Sequence, residues 1–202
     1  MRDNIISILV VILAVLFMGN YNKSRKIEKL ENNIKNKNAV IINQMDTIID
    51  ASEKIEEYEK VINKIEEISK KLVKMNPKVR EPLILATAIY ASSLKHNLDP
   101  DLLISIAYNE SSLYKYAVSK VNCKGYFQIN PAAHKVDESK IYDEYYNAQW
   151  GGYILRMYLN RYDNDNFKAL CAYNAGPNGA KRGWGQSYAR KVIRLYNKID
   201  TV

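Results

Sequence analysis

The order of hydrophobic and polar positions sets the amino-terminal region apart from the rest of the chain. Residues 5–18 are apolar except for Ser7. As a helix rising 1.5 Å per residue this run reaches ~21 Å, short of the ~30 Å hydrocarbon core of a bilayer, so spanning requires help from the residues that follow or local thinning. No small-residue cleavage pattern follows Met18. An uncleaved membrane anchor over residues 1–24 is therefore favoured over a cleaved signal peptide.

A seven-residue repeat follows the apolar run. Isoleucine occupies six successive a positions, namely Ile27, Ile34, Ile41, Ile48, Ile55 and Ile62. Leu30 begins the d positions, but Lys37 and Gln44 interrupt them. This pattern predicts a long coiled-coil helix over residues 25–76 that acts as a spacer and favours a homo-oligomer. A single amphipathic helix that lies on its own domain is the alternative.

Glycine and proline indicate where a compact domain begins. Between Gly19 and Pro77 neither residue occurs, whereas residues 77–202 contain seven of the eight glycines and all five prolines. Pro82 suits the first turn of a new helix. Residues 97–101 have the composition of a helix break followed by an amino-terminal cap, and the apolar helix after them ends near Glu110. The sequence thus predicts a mainly helical domain over residues 77–202.

Two further segments of this domain are predicted to be irregular. The sequence CKGYFQINP at residues 123–131 combines β-prone residues with glycine and proline, as in a short strand or hairpin. Residues 172–177, AYNAGP, end a helix at a sharp turn and bring an aromatic ring and an amide together. Rings and amides at turns suit a cleft that binds sugars.

Charge and cysteine content narrow the classes of function. The chain has a net charge of +8, of which +6 belongs to residues 77–202, and this favours an anionic partner. Its two cysteines, Cys123 and Cys171, form neither a disulfide-rich scaffold nor a zinc motif. No metal or cofactor is expected. No recognised nucleic-acid motif accompanies the basic residues, so nucleic acid is not an expected partner.

Four ordered motifs resemble the soluble lytic transglycosylase (SLT) domain family, whose members cleave peptidoglycan. They are Glu110-Ser111, Ala117-x-Ser119, Gly125-x-x-Gln128-Ile129-x-Pro131 and Ala172-Tyr173-Asn174-Ala175-Gly176-Pro177. The resemblance implies a lysozyme-like fold, α+β with a minimal β-hairpin. It also implies that Glu110 is the catalytic acid and base. By the same resemblance, the glycan groove is lined by Ser119, Gln128, Tyr173, Asn174 and Tyr188.

The chemistry of glycosidic cleavage agrees with this interpretation. A carboxyl group beside apolar helix residues can remain protonated near neutral pH and protonate a poor leaving oxygen. Glu110, at the end of an apolar helix, is placed for that role. The predicted activity is cleavage of the MurNAc–GlcNAc β-1,4 bond with formation of a 1,6-anhydro sugar. A catalytically weak wall-binding or assembly module and a lysozyme-type hydrolase are the alternatives.

The substrate and the flanking charges give opposite indications of topology. Peptidoglycan lies outside the cytoplasmic membrane, so a single-pass anchor should place the catalytic domain on the cell-wall side. Lys23, Arg25, Lys26 and Lys29 nevertheless follow the apolar run, whereas Arg2 precedes it. The positive-inside rule favours the opposite orientation. An external domain is expected from the location of the substrate.

Overall fold

The computed structural model describes the backbone of residues 2–199 and the side chains of residues 13–199. The chain divides into two compact units, Met1–Tyr58 and Glu59–Val202. Seven α-helices are described: α1 Arg2–Met75, α2 Pro82–His96, α3 Pro100–Ser111, α4 Pro131–His134, α5 Glu144–Arg161, α6 Asn166–Lys181 and α7 Gln186–Tyr196. A 3-10 turn, Glu138–Lys140, precedes α5. The predicted mainly helical organisation is confirmed.

The described part of the first unit, residues 2–58, is the first part of helix α1, and its predicted roles stay predictions. Within the residues that the structure describes, no helix has an apolar stretch long enough to cross a membrane. The side chains of residues 1–12, which form half of the predicted anchor, lie outside the described residues. The isoleucines at the a positions from Ile27 to Ile55 are exposed. Such a face is available to a second helix, and the coiled coil stays a prediction.

The second unit begins earlier than the sequence indicated. The predicted boundary was Pro77, but Ile68 and Leu72 of helix α1 are completely buried in the core of the second unit. Ile62, at an a position of the heptad, remains 54% exposed. The last turns of α1 therefore pack on the second unit, and the role of residues 25–76 as a spacer stays a prediction.

Helix α3 forms the centre of the second unit. Every residue from Leu102 to Ala107 is buried, and α3 packs against both α2 and α7. The helix begins where the sequence predicted, because the Asp99 side chain accepts a hydrogen bond from the Asp101 backbone N–H and Pro100 occupies the first turn. It ends at Ser111, so its last turn presents Glu110 at the edge of the core.

The predicted β-hairpin is not formed. Within residues 2–199 there is no extended strand, only two isolated antiparallel bridges that join Lys124 to Val118 and to Ile129. The backbone turns instead, with positive φ angles of 78° at Gly125 and 49° at Gln128. The aromatic side chains between these two residues are buried inside the turn, so the β-prone pattern reflects core packing.

Candidate active site

Glu110 lies in the last turn of α3 and is half-buried. Burial raises the pKa of its carboxyl group from 4.5 to about 7, while a contact with the Tyr188 phenol has a smaller, lowering effect. A carboxyl group with this pKa is present in both protonation states near neutral pH, as a group that first donates and then accepts a proton must be.

Two tyrosines from different helices adjoin Glu110. Tyr173 lies in α6 and Tyr188 in the first turn of α7, and their rings are parallel with centroids 6.4 Å apart. Burial raises the pKa of both phenols, and the nearby Glu110 carboxyl raises it further. Both hydroxyl groups therefore stay protonated, and that of Tyr188 can donate a hydrogen bond to Glu110.

A close backbone approach brings the two tyrosines together. Gly185 precedes α7, and a Cβ atom added there would lie 2.5 Å from the carbonyl oxygen of Cys171 in α6. Any side chain at this position would separate the start of α7 from α6. Gly185 also has a positive φ of 81°, which favours glycine. The stacking of Tyr173 and Tyr188 thus depends on a glycine that sequence reasoning did not select.

The turn at residues 125–128 borders this cluster. The Tyr173 hydroxyl donates a hydrogen bond to the Phe127 carbonyl oxygen, at 3.1 Å. Asn147, completely buried in the first turn of α5, holds the other side of the turn. Its side chain accepts a hydrogen bond from the Phe127 N–H at 2.8 Å and donates to the carbonyl oxygens of Lys124 and Ile141.

The clamping role of Asn147 is the main feature of the site that the sequence did not reveal. Asn147 lies in the first turn of α5, among residues whose hydrogen-bonding role the sequence analysis did not address. Because a buried amide requires hydrogen-bond partners, Asn147 could have been expected to contact a loop rather than solvent.

The predicted groove residues divide into two groups. Tyr173 and Tyr188 are brought to Glu110, as described above. Gln128 and Ser119 make hydrogen bonds within the loop: the Gln128 side-chain amide donates to the carbonyl oxygens of Ala117 and Gly125, and the Ser119 hydroxyl accepts from the Cys123 N–H. Asn174 is exposed next to Tyr173. Substrate contacts of Ser119, Gln128 and Asn174 stay predictions.

The other carboxylates that could assist Glu110 are used elsewhere. Asp137, Asp143 and Asp165 cap the 3-10 turn, α5 and α6, respectively. Glu138 pairs with Lys124 and Glu144 with Lys115. Among the described residues, burial and Tyr188 are the causes of the shifted pKa of Glu110, and no second carboxylate contributes.

Comparison with known proteins identifies the family. The family model described as Transglycosylase SLT domain matches residues 87–196, which include Glu110 and every predicted groove residue. The chain belongs to this family. Its SLT domain is 37% identical over 115 residues to the transglycosylase of Enterobacteria phage PRD1, a match that covers 55% of this chain and 42% of the relative.

Solved structures similar to this chain are also transglycosylases. An inactive mutant of the lytic transglycosylase Slt from Pseudomonas aeruginosa has a TM-score of 0.46 at 16% identity and is matched over 55% of this chain and 21% of its own. The 70 kDa soluble lytic transglycosylase SLT70 from Escherichia coli has a TM-score of 0.45 at 20% identity, with 55% and 22% matched. The chain spans less than half the length of each relative.

The raised pKa of Glu110 predicts a pH-dependent stability of the SLT domain. The folded state binds this proton more tightly than the unfolded state, so the stabilisation is fully present below about pH 4.5 and is lost as the pH rises through about 7. A shift of this size corresponds to at most ~3 kcal/mol. We expect Glu110→Gln to become progressively more stable than the wild type across this interval, as measured by urea unfolding at a series of pH values.

The difference between variant and wild type isolates Glu110 from other titrating groups. Asp163→Asn, a change at an exposed carboxylate, serves as the matched control and should follow the wild type. A stability difference between Glu110→Gln and the wild type that does not change between pH 4 and pH 8 would show that burial does not perturb Glu110.

Proposed function

We propose that the SLT domain is a lysozyme-like peptidoglycan lytic transglycosylase that cleaves the MurNAc–GlcNAc β-1,4 bond and forms 1,6-anhydro-MurNAc. One observation carries the proposal: Glu110 lies half-buried against Tyr188 with a pKa of about 7, and no second carboxylate acts on it among the described residues. A retaining hydrolase requires a carboxylate about 5–5.5 Å from the acid, and an inverting one requires a base about 6.5–9.5 Å away. A single carboxyl group suits a reaction in which the substrate supplies the nucleophile.

In the first half of the reaction Glu110 acts as the acid. Its proton passes to the glycosidic oxygen as the bond between this oxygen and C1 of MurNAc breaks, so GlcNAc leaves with a neutral 4-hydroxyl group. Protonation by a positioned acid of matched pKa lowers the barrier for this poor leaving group. The neutral phenol of Tyr188 lies beside the carboxylate that results and can stabilise it by donating a hydrogen bond, while the hydroxyl of Tyr173 donates to the Phe127 carbonyl oxygen.

In the second half Glu110 acts as the base. The carboxylate removes the proton from the C6 hydroxyl of the same MurNAc residue while O6 bonds to C1 and closes the anhydro ring. Glu110 regains its proton, and no water enters the product. The burial that raises the pKa of Glu110 also makes its carboxylate more basic, which favours this proton transfer.

The mass of the product tests this mechanism. We expect the chain to release muropeptides from purified peptidoglycan that are lighter by one water than their hydrolysed counterparts, as measured by mass spectrometry. The Glu110→Gln chain, treated in the same way, is the control and should release neither form. Mainly hydrated muropeptides would identify a lysozyme-type hydrolase and contradict the transglycosylase proposal while retaining Glu110 as the acid.

The amino-terminal region suggests where the enzyme acts. We propose that residues 1–24 anchor the chain in the cytoplasmic membrane with the SLT domain on the cell-wall side. The apolar run at residues 5–18 and the location of peptidoglycan support this arrangement. Protease added to intact spheroplasts should then digest the SLT domain, whereas digestion only after lysis would contradict the proposed topology.

A further inference from the structure

One face of α1 carries a row of apolar side chains that nothing covers within the described part of the first unit. Every side chain from residue 13 to residue 58 is exposed. The isoleucines at the a positions between residues 27 and 55 keep 52–66% of their surface exposed. A row of this length at heptad spacing is typical of a helix that pairs with another helix.

The stability of this part of α1 depends on such a partner. Five asparagines lie between residues 32 and 43, and asparagine is among the weaker helix-forming residues. Most of the stability of a helix in a protein comes from packing of its apolar face, because a helix alone in water is marginal. A stable helix over this segment therefore requires that the isoleucine row be buried against a second helix.

The residues that border the row point to a second copy of the chain as the partner. In a parallel pair of helices in register, each g residue lies beside the e residue five positions later in the other helix. From residue 26 to residue 59 all five such pairs match in chemistry: Lys26 with Glu31, Asn33 with Asn38, Val40 with Met45, Thr47 with Ser52 and Lys54 with Glu59. The surface is thus complementary to itself, as the interface of a twofold dimer must be.

The polar d positions specify the alignment of the two copies. In register, Gln44 lies opposite Gln44 of the other copy, and each side-chain amide can donate a hydrogen bond to the other. A shift of one heptad would set Gln44 against Ala51 or Lys37 and would separate Lys26 from Glu31. Lys37 lies opposite itself in register, and in a two-stranded coiled coil its long side chain can extend the ammonium group into solvent.

The charges at the e and g positions favour the parallel order over the antiparallel one. In an antiparallel pair, g residues face g residues and e residues face e residues. The alignment that keeps the two copies of Val40 together then sets Lys26 against Lys54 and Glu31 against Glu59, so that like charges meet. The two glutamates also border one side of the row, which disfavours an anionic membrane surface as the alternative partner.

We propose that residues 26–59 of α1 form a parallel, two-stranded coiled coil, in register, with the same residues of a second copy of this chain. Each dimer then carries two SLT domains. The consequence for function rests on the proposed activity: two domains on one dimer can contact the same polymer twice, which raises the effective concentration of glycan at each site.

Cysteine cross-linking of the full chain in detergent solution tests the orientation and the register. The parent carries Cys123→Ser and Cys171→Ala. Single cysteines at Ile34→Cys and Ile55→Cys, tested in separate chains, can each lie opposite their own copy only if the helices are parallel and in register. We expect both variants to form a disulfide-linked dimer under mild oxidation. The matched controls, Asn32→Cys and Glu53→Cys, place the cysteine at f positions on the far side of the helix and should stay monomeric on a denaturing gel.

Charge reversal tests the same pairing in the chain that keeps its own cysteines. Lys26→Glu combined with Lys54→Glu sets glutamate against glutamate at four contacts of the dimer. We expect the dissociation constant of the dimer, from sedimentation equilibrium in detergent solution, to rise by about tenfold or more. Lys29→Glu combined with Lys60→Glu changes the net charge equally at c and f positions and should leave the dissociation constant unchanged.

These measurements do not depend on cleavage of peptidoglycan. Cross-linking at both a positions, a mass of two chains and recovery of dimers when the Lys26→Glu/Lys54→Glu chain is mixed with a Glu31→Lys/Glu59→Lys chain would support the proposal. A monomer, a trimer, cross-linking at fewer than both a positions or a dimer that charge reversal does not weaken would overturn it. A cross-linked dimer that cleaves nothing would retain the coiled coil and overturn the proposed function alone.

Discussion

Replacing Glu110 by glutamine is expected to abolish glycan cleavage, lowering turnover by about 10²- to 10⁴-fold, the usual contribution of a general acid or base. The amide has nearly the same shape as the carboxyl group but cannot donate the catalytic proton or accept one afterwards. Because Glu110 is uncharged during part of its normal cycle, the neutral amide should be tolerated by the buried site. Release of soluble muropeptides from purified peptidoglycan measures the effect.

Two controls make this result specific to Glu110. Asp163→Asn changes an exposed carboxylate in the turn after α5 and should retain wild-type turnover. Circular dichroism and the urea midpoint should show that the Glu110→Gln chain is folded. Retention of activity within a few-fold of the wild type, in a folded protein, would exclude Glu110 as the catalytic acid.

The sequence predicted the starts of α2 and α3 in the SLT domain because these helix ends have local signals. Asp99 and Pro100 mark the start of α3, and the cap depends on a hydrogen bond between neighbouring residues. The boundary of the spacer had no such signal. The heptad repeat continues to Leu72. The buried side chains of the last turns are Leu72, at a d position, and Ile68, which lies outside the a and d positions. Only contacts with distant helices determine which face of α1 is buried.

The turn at residues 125–128 shows the limit of local patterns in another way. Tyr126, Phe127 and Ile129 have the composition of a strand, yet of these only Ile129 pairs, in an isolated bridge with Lys124, and no extended strand forms within residues 2–199. An amide from α5 hydrogen-bonds the Phe127 N–H instead. The sequence pattern indicates that these side chains are buried. It does not indicate that a distant side chain, rather than a neighbouring strand, accepts the backbone hydrogen bond.

The proposed catalytic residue of the candidate site was predictable from the sequence, but the environment of this residue was not. Glu110 was selected by family resemblance and by its apolar helix, and both features are local. Its raised pKa depends on burial, and Tyr188, which comes from the last described helix, contacts it directly. Tyr173 and Tyr188 were expected to line the groove, whereas their stacking and the approach at Gly185 required the packing of α6 against α7.

Asn147→Ala is expected to have the largest effect on stability, because three backbone groups lose a hydrogen bond together. They are the Phe127 N–H and the carbonyl oxygens of Lys124 and Ile141. For two of them, at Phe127 and Ile141, no other partner is described, whereas the Lys124 carbonyl oxygen keeps its bond from the Ile129 N–H. At about 1–3 kcal/mol for each of the two buried groups left unpaired, with partial relaxation, the free energy of unfolding should fall by ~2–4 kcal/mol. This is a large part of the ~5–15 kcal/mol that stabilises a typical domain. Urea unfolding measures the loss, and Asn178→Ala, at an exposed asparagine, is the matched control.

A double-mutant cycle with Gly125 tests whether the loss arises from the clamp itself. A Cβ atom added at Gly125 would lie 2.4 Å from Asn147 Nδ2, so Gly125→Ala should destabilise the domain partly by displacing this amide. Its positive φ of 78° adds a cost that does not involve Asn147. In the Gly125→Ala/Asn147→Ala chain the amide is absent, so the clash disappears and the combined loss should be smaller than the sum of the two single losses. Additive losses, or a loss below ~1 kcal/mol for Asn147→Ala, would show that the amide does not hold the turn beside Glu110.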